Sequence, residues 1–236
     1  MMNILYEDDQ ILVVFKPAGI ATQTSRTAQV DMVSEIKNHL AGKDDRKERN
    51  EPYLGLVHRL DQPVSGLLVF AKTRSAAASL SHQLTNGQLQ KYYYAIVLGK
   101  PENETDVLVD FLYKDGHNNR SYVVDETFPE AKKAVLEYRT VKTLIALENN
   151  TEASLLEIKL MTGRHHQIRV QLSAAGIPIL GDGKYGSERS KDMSRESACR
   201  YPALCAYKLR FVHPMTGKEL TFEEPPKDEI FEAFLS

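Results

Sequence analysis

The chain has 236 residues and a formal net charge of −2, with 30 Lys and Arg against 32 Asp and Glu. That balance argues against a protein whose only task is to coat nucleic acid, because such proteins are strongly basic. The sequence has no run of 18 apolar residues and its first ten residues are acidic, which argues against a membrane span and a signal peptide. We therefore expect a cytoplasmic protein with one domain over residues 1–236.

The first part of the chain is predicted to combine short strands with two helices. Apolar spacing and breaker residues predict strands at 3–6, 11–16, 54–57 and 67–72 and helices at 31–41 and 74–86. Asp31 and Thr73 are the expected N-caps of the helices, and Gly87 is expected to end the second. Residues 42–52 are predicted to form an exposed charged loop.

The rest of the chain is predicted to be rich in strands. The predicted strands are 91–98, 106–113, 121–124, 134–142, 154–161, 204–212 and 219–222. Helices are expected at 166–175, before Gly176 and Pro178, and at 228–235. Neighbouring strands with few helices between them indicate an α+β fold, built on a mixed, largely antiparallel sheet with flanking helices.

Cysteine and histidine usage bears on metal binding and on disulfides. Two cysteines, Cys199 and Cys205, are too few for a disulfide framework or a four-cysteine zinc site, although one bridge between them stays open. The chain has neither an H-E-x-x-H nor a C-x-x-C motif, and adjacent helical histidines such as His165 and His166 point about 100° apart. We expect no metal.

Two polar segments carry the types of residue that catalysis uses. His58, Arg59 and Asp61 follow a predicted strand, where sheets often place catalytic groups; a surface turn is the alternative. The segment 163–169, GRHHQIR, opens a predicted helix with two arginines, which is typical of an anion site; a solvated basic patch is the alternative.

These segments closely resemble the motifs of the RluA family of RNA pseudouridine synthases. The family signature HRLD-x-x-(T/S)-S-G-L-L matches His58–Leu68, and its K-x-Y-x-A-x-V-x-G strand matches Lys91–Gly99. Its G-R-(T/S)-H-Q-(I/L)-R helix start matches Gly163–Arg169, and its H-P-I-L-G-D-x-x-Y-G segment matches Ile177–Gly186. The resemblance covers nearly the whole chain, in the order of the family. The departures from the family pattern are Val64, His165, Gln171 and Cys205.

The resemblance implies an enzyme that isomerises uridine to pseudouridine in structured ribosomal or transfer RNA. It implies a pseudouridine synthase fold, no cofactor and a monomer, and we expect no separate N-terminal RNA-binding domain. Asp61 would be the nucleophile, kept ionised by Arg169, which we favour, or by Arg164. Tyr93 would lie against the uracil, in one basic cleft with Asp61 and Arg169.

The resemblance also assigns RNA contacts. Arg59 would fill the space that the flipped base leaves, since the base must be extruded from folded RNA. The other predicted RNA-binding residues are His58, Lys91, His166 and Gln167.

Three other functions are weighed against this one. A glycosidase needs two carboxylates that flank one bond, whereas each motif here pairs at most one acid with bases. A noncatalytic RNA-binding relative would keep the basic helix start but lose Asp61 or Tyr93, and both are present. A hydrolase that uses Asp61 through a water would release free uracil.

Overall fold

The computed structural model describes residues 3–24, 29–43, 51–146, 151–196 and 199–236. The chain divides into two compact units, the first comprising Met1–Gln90 and Ala206–Glu224, the second Lys91–Cys205 and Pro225–Ser236. Most of the predicted charged loop, residues 44–50, lies outside the described residues. The prediction of a single catalytic domain stays a prediction.

The described residues form strands and helices in the following chain order. The elements up to residue 85 are β1 Asn3–Glu7, β2 Ile11–Lys16, α1 Met32–Lys43, β3 Gly55–Leu56, β4 Ser65–Ala71 and α2 Arg74–Thr85. Those up to residue 160 are β5 Gln90–Leu98, β6 Thr105–Asp115, β7 Arg120–Val124, β8 Lys132–Ala146 and β9 Thr151–Leu160. The remainder are α3 Gln167–Ala174, α4 Glu188–Glu196, β10 Leu204–Val212, β11 Glu219–Glu223, a 3-10 turn Glu229–Phe231 and α5 Glu232–Leu235.

The sheet of the first unit is ordered β1-β2-β4-β10, with β3 also paired to β4 and β11 to β10. Every residue of β2 and β4 is buried, as expected for apolar runs in the middle of a sheet. Gly66 in β4 has φ +132°, and a Cβ there would lie 2.5 Å from the backbone of Ala206. Glycine therefore allows β10 to approach β4.

Both predicted helix caps of the first unit are confirmed. The Ser34 backbone N–H donates to Asp31 Oδ1 at 2.8 Å, at the start of α1. The Ala76 backbone N–H donates to Thr73 Oγ1 at 3.1 Å, at the start of α2. Each cap satisfies one of the donors that a helix N-terminus leaves without an intrahelical acceptor.

The sheet of the second unit is ordered β5-β9-β8-β6-β7, and each neighbouring pair is antiparallel. Helix α3 packs against β6 and β7. Its buried Gln171 donates through Nε2 to Asp110 Oδ2 in β6 at 2.7 Å. One face of the sheet thus holds the helix that the GRHHQIR segment opens.

The predicted α+β fold class, with a largely antiparallel mixed sheet, is confirmed. Several predicted bounds are wrong: α1 runs on to Lys43, β8 continues to Ala146, and β3 comprises two residues. Helix α4 was not predicted, because it buries the small polar residues Ser190 and Ser194 rather than an apolar stripe. Both cysteines are free thiols.

None of the helices in the described part of the chain is long and apolar enough to cross a membrane.

Candidate active site

The loop that carries Asp61 is tied to the first unit on both sides of that residue. Thr22 Oγ1 donates to the Leu60 carbonyl at 2.9 Å and accepts from the Leu60 N–H at 3.2 Å. The Val64 N–H donates to the Asp61 carbonyl at 3.0 Å, which closes the turn that follows. The backbone at Asp61 is therefore fixed before any substrate binds.

A buried lysine holds the residue after Asp61. Lys16 is fully buried at the end of β2, and its ammonium donates to the carbonyls of Pro17, Ile20 and Gln62 at 2.9, 2.7 and 3.1 Å. The Gly19 N–H also donates to the Gln62 carbonyl, at 2.9 Å. These three acceptors satisfy the three N–H donors of the ammonium, as burial of a charge requires.

His58 and Arg59 differ in exposure. His58 is buried, and its Nε2 accepts a hydrogen bond from the Val69 N–H of β4 at 3.3 Å, so that Nε2 carries no proton. The last backbone pair between β3 and β4 is Leu56 with Phe70, and the hydrogen bond from Val69 to the His58 ring continues the contact between the two segments by one residue of β4. Arg59 is exposed. Their predicted contacts with RNA stay predictions.

In the second unit, Lys91 and Tyr93 lie two residues apart on one face of β5. Alternate residues of a strand share a face, and both side chains are buried, with 8% and 5% of their surface exposed. Burial lowers the pKa of the Lys91 amine to about 8. An amine and a phenol thus lie next to each other on the face predicted to hold the uracil.

Arg169 of α3 is held by a carboxylate and an aromatic ring. Its Nε and one terminal nitrogen donate to the two oxygens of Asp182, at 2.7 and 2.8 Å, and its guanidinium lies 5.2 Å from the centroid of the Tyr185 ring. Burial alone would raise the pKa of Asp182, but the charge and hydrogen bonds of Arg169 keep that pKa below its usual value. Both members of the pair are buried.

The residues that precede α3 are ordered by side-chain hydrogen bonds. Gln167 is 3% exposed; its Oε1 accepts from Thr162 Oγ1 at 2.8 Å and from the Arg164 N–H at 3.0 Å. Its Nε2 donates to the Val135 carbonyl at 3.1 Å. Arg164 is exposed, and its Nε donates to the Lys133 carbonyl at 2.9 Å. Gln167 thus fixes the loop; its contact with RNA stays a prediction.

The two histidines before α3 are stacked, with ring centroids 3.7 Å apart. His166 has φ +55° and its Nδ1 forms a 2.8 Å hydrogen bond with the Tyr185 hydroxyl. His165 Nδ1 bonds Ser121 Oγ of β7 at 2.9 Å, and its Nε2 bonds Asn119 Oδ1 at 3.1 Å. The unusual His165 therefore connects the β6–β7 hairpin to the start of α3.

The second unit brings together the predicted residues Arg164, His166, Gln167 and Arg169 around the start of α3, with Lys91 beside Gly163. That Asp61, Tyr93 and Arg169 form one cleft stays a prediction. Sequence analysis assigned no role to Lys16, Thr22, Asp182 or Tyr185. Asp182 and Tyr185 do belong to the segment Ile177–Gly186, which matches a motif of the family, and this match was the available signal.

Among the described residues, no group of three or more His, Cys, Asp or Glu side chains is placed to hold a metal ion.

Comparisons with known sequences agree on one family. The family model described as RNA pseudouridylate synthase matches residues 10–174. The chain is 34% identical over 232 residues to "Ribosomal large subunit pseudouridine synthase D" of Nitrosomonas europaea, covering 97% of this chain and 63% of that protein. It is 31% identical to "Ribosomal large subunit pseudouridine synthase C" of Vibrio cholerae, covering 98% of this chain and 67% of that protein. The chain thus spans about two thirds of the length of these relatives.

Two solved structures share the fold. "Human RNA Pseudouridylate Synthase Domain Containing 1" superposes with a TM-score of 0.75 at 21% sequence identity, covering 96% of this chain and 84% of that one. "Human RNA Pseudouridylate Synthase Domain Containing 4" gives a TM-score of 0.71 at 24% identity, covering 95% and 89%. These likenesses concern the fold alone.

Proposed function

Because the chain belongs to the family of RNA pseudouridylate synthases, we propose that it converts uridine to pseudouridine in structured RNA. The two relatives described above are named for the large ribosomal subunit, which makes ribosomal RNA the first substrate to test. Transfer RNA is the second. We propose that the enzyme acts in the cytoplasm as a monomer.

The reaction is an isomerisation with a simple balance of bonds. The bond between uracil N1 and ribose C1′ breaks, a bond between C5 and C1′ forms, C5 loses its proton and N1 gains one. Nothing is oxidised and no group is lost, so the chemistry calls for no cofactor. The enzyme must supply a carboxylate at the ribose, a surface that holds the loose uracil, and an acceptor for the C5 proton.

The carboxylate is proposed to be Asp61, and the observation that carries this proposal is the fixed backbone of its loop. Thr22 binds the residue before Asp61 and Lys16 binds the residue after it, while the Asp61 side chain is partly exposed. A group held in place by its own scaffold loses little entropy on reaching the reactive geometry. That arrangement suits a nucleophile better than a surface turn.

Arg169 is proposed as the cation that keeps Asp61 ionised. Its guanidinium is buried and oriented by Asp182 and Tyr185, whereas Arg164 is exposed and bonds a backbone carbonyl. A buried, preoriented guanidinium stabilises a carboxylate more than an exposed one does, because water screens it less. Arg164 remains the second choice.

Tyr93 and Arg59 are proposed to manage the flipped base. Tyr93 is buried, and its ring is proposed to stack on the uracil, an interaction worth about 1–3 kcal/mol per base. Its hydroxyl is the proposed acceptor or relay for the C5 proton. Arg59 is exposed on the loop of Asp61 and is proposed to enter the helix where the base has left it, which offsets part of the few kcal/mol that flipping costs.

The first test follows the hydrogen that leaves C5. RNA transcribed with tritium at uracil C5 should release tritium to water when incubated with the protein, and Asp61→Asn should bind the same RNA but release none. Asparagine is nearly isosteric, so folding should be unchanged. If the tritium stays on C5 and leaves the RNA as labelled free uracil, the protein is a hydrolase; if the RNA is bound but unaltered, it is a noncatalytic RNA-binding protein.

A further inference from the structure

Lys91 is a buried cation whose burial the protein does not compensate. The residue is 8% exposed, and burial alone, with no charged or hydrogen-bonding partner among the described residues, lowers the pKa of its amine. Other cations of the same unit are engaged: Arg169 with Asp182, Arg164 with the Lys133 carbonyl. The side chain is mostly buried but its ammonium is not among the fully buried atoms, so a ligand can reach it and supply the acceptor that the protein does not.

The approach to this ammonium is left open by a glycine. A Cβ built on Gly163 would lie 3.5 Å from Lys91 Nζ, so a side chain there would begin in van der Waals contact with the amine. The φ angle of Gly163 is outside the left-handed region that favours glycine, so its backbone conformation does not require glycine. What distinguishes glycine at this position is therefore the absence of a side chain. Gly163 is exposed, so a ligand can reach Lys91 over it.

The surroundings favour an anion. Gly163 begins the basic loop that leads into α3, and α3 starts at Gln167 without a side-chain cap. A helix N-terminus carries partial positive charge, and Arg164 adds a full charge at the same end. An ammonium on a mostly buried side chain, an uncapped helix start and an exposed arginine together match a phosphate rather than a neutral group.

We propose that Lys91 binds a non-bridging oxygen of one RNA backbone phosphate, that of the nucleotide whose uracil lies against Tyr93. This inference rests on the proposed function. Lys91 and Tyr93 lie two residues apart on one face of β5, so their Cα atoms are about 6.7 Å apart. This distance is similar to the distance between the base and the phosphate of one nucleotide. Lys91 would thereby fix the position of the sugar that joins this phosphate to the uracil.

The first experiment tests phosphate recognition by itself. The Lys91 pKa, followed by the carbon NMR signal next to the amine, should rise from about 8 when uridine 5′-monophosphate is added and stay unchanged with uridine. An anion stabilises the protonated amine, whereas a neutral nucleoside does not. Equal shifts with both ligands, or no shift with either, would overturn the proposal.

The second experiment uses an RNA oligonucleotide in which the wild type forms pseudouridine. Replacing the phosphate of the target nucleotide by a neutral methylphosphonate should weaken wild-type binding roughly tenfold or more, the scale of one charged hydrogen bond. Lys91→Met should bind the normal RNA equally weakly and show no further loss with the neutral linkage. Lys100→Met, at an exposed lysine of the same unit, should behave like wild type.

A full methylphosphonate effect in Lys91→Met would contradict the proposal, since the phosphate would then be bound elsewhere. Lys91 would instead be a proton acceptor if Lys91→Arg binds RNA normally but has lost turnover, and if the methylphosphonate does not weaken binding by the wild type. Because the oligonucleotide is chosen for wild-type turnover, either result removes the Lys91 inference and leaves the proposed function standing. Absence of turnover on every RNA removes the proposed function itself.

Discussion

At the scale of single residues, the backbone on either side of Asp61 is held by Thr22 and Lys16. The motifs pointed to Asp61, Tyr93 and Arg169, but not to the groups that hold two of them. Lys16 and Thr22 are distant in sequence from Asp61 and meet its loop only through the fold. The sequence around Lys16 gives no sign that this lysine will be buried against carbonyls, because one of the three comes from Gln62, in a distant backbone segment.

Tyr93 is the residue where a packing role and a catalytic role make different predictions. Tyr93→Phe keeps the ring and its stacking, so folding and RNA affinity should be unchanged. Single-turnover pseudouridine formation should fall by about 10²-fold or more, the usual effect of losing a positioned acid–base group. A variant that turns over at nearly the wild-type rate would assign Tyr93 to packing alone.

Arg59 should matter in proportion to the structure of the RNA. Arg59→Ala is expected to weaken productive binding to a folded stem-loop more than to an unstructured oligonucleotide of the same local sequence, because only the folded RNA pays the full cost of flipping. Parallel affinity measurements on the two RNAs decide the matter. Equal losses on both would identify Arg59 as a plain phosphate contact.

At the scale of elements, most strands and helices can be predicted from apolar spacing and capping residues, because the residues that stabilise each element are close together in the sequence. Helix α4 cannot be predicted in this way, because a polar residue, Ser194, connects it to the preceding loop. The Ser194 hydroxyl accepts a hydrogen bond from the Gly181 N–H at 2.6 Å and donates one to the Ser190 carbonyl. The start of α3 was located to within one residue, but its organisation was not. The contact of His165 with Ser121 and Asn119 depends on where the β6–β7 hairpin folds back.

The Arg169–Asp182 pair should anchor α3. Asp182→Asn leaves the shape intact but removes the charge that compensates buried Arg169, so the free energy of unfolding in urea should fall by about 3–5 kcal/mol. The matched control is Asp192→Asn, which breaks an exposed pair with Arg195 on α4 and should cost less than about 1 kcal/mol. Equal losses in the two variants would show that the buried pair does not anchor the helix.

The same pair predicts a dependence on pH. The pKa of Asp182 is lowered in the folded state, so the carboxylate contributes stability above the unfolded pKa of about 3.9, and this contribution is lost as pH falls through the lower folded value. Wild type should therefore lose stability on acidification more steeply than Asp182→Asn. Urea unfolding at a series of pH values tests this, and parallel curves for the two proteins would contradict it.

At the scale of the whole molecule, family and fold class follow from the sequence, and the RNA target does not. Four motifs in order suffice for the family because each specifies a local structure, such as the loop of Asp61 or the start of α3. Target choice depends on the arrangement of charge over a surface, and a chain with a net charge of −2 carries no compositional sign of it. The relatives named for the large ribosomal subunit supply the first candidate.

The central claim is that this chain makes pseudouridine through Asp61. The most direct measurement is pseudouridine mapping of total RNA from cells that lack the gene, complemented either with wild type or with Asp61→Asn at matched protein levels. At least one uridine, expected in large-subunit ribosomal RNA, should lose its modification without the gene, regain it with wild type and stay unmodified with Asp61→Asn. A map that does not change when the gene is lost, or a site that Asp61→Asn restores, would contradict the claim.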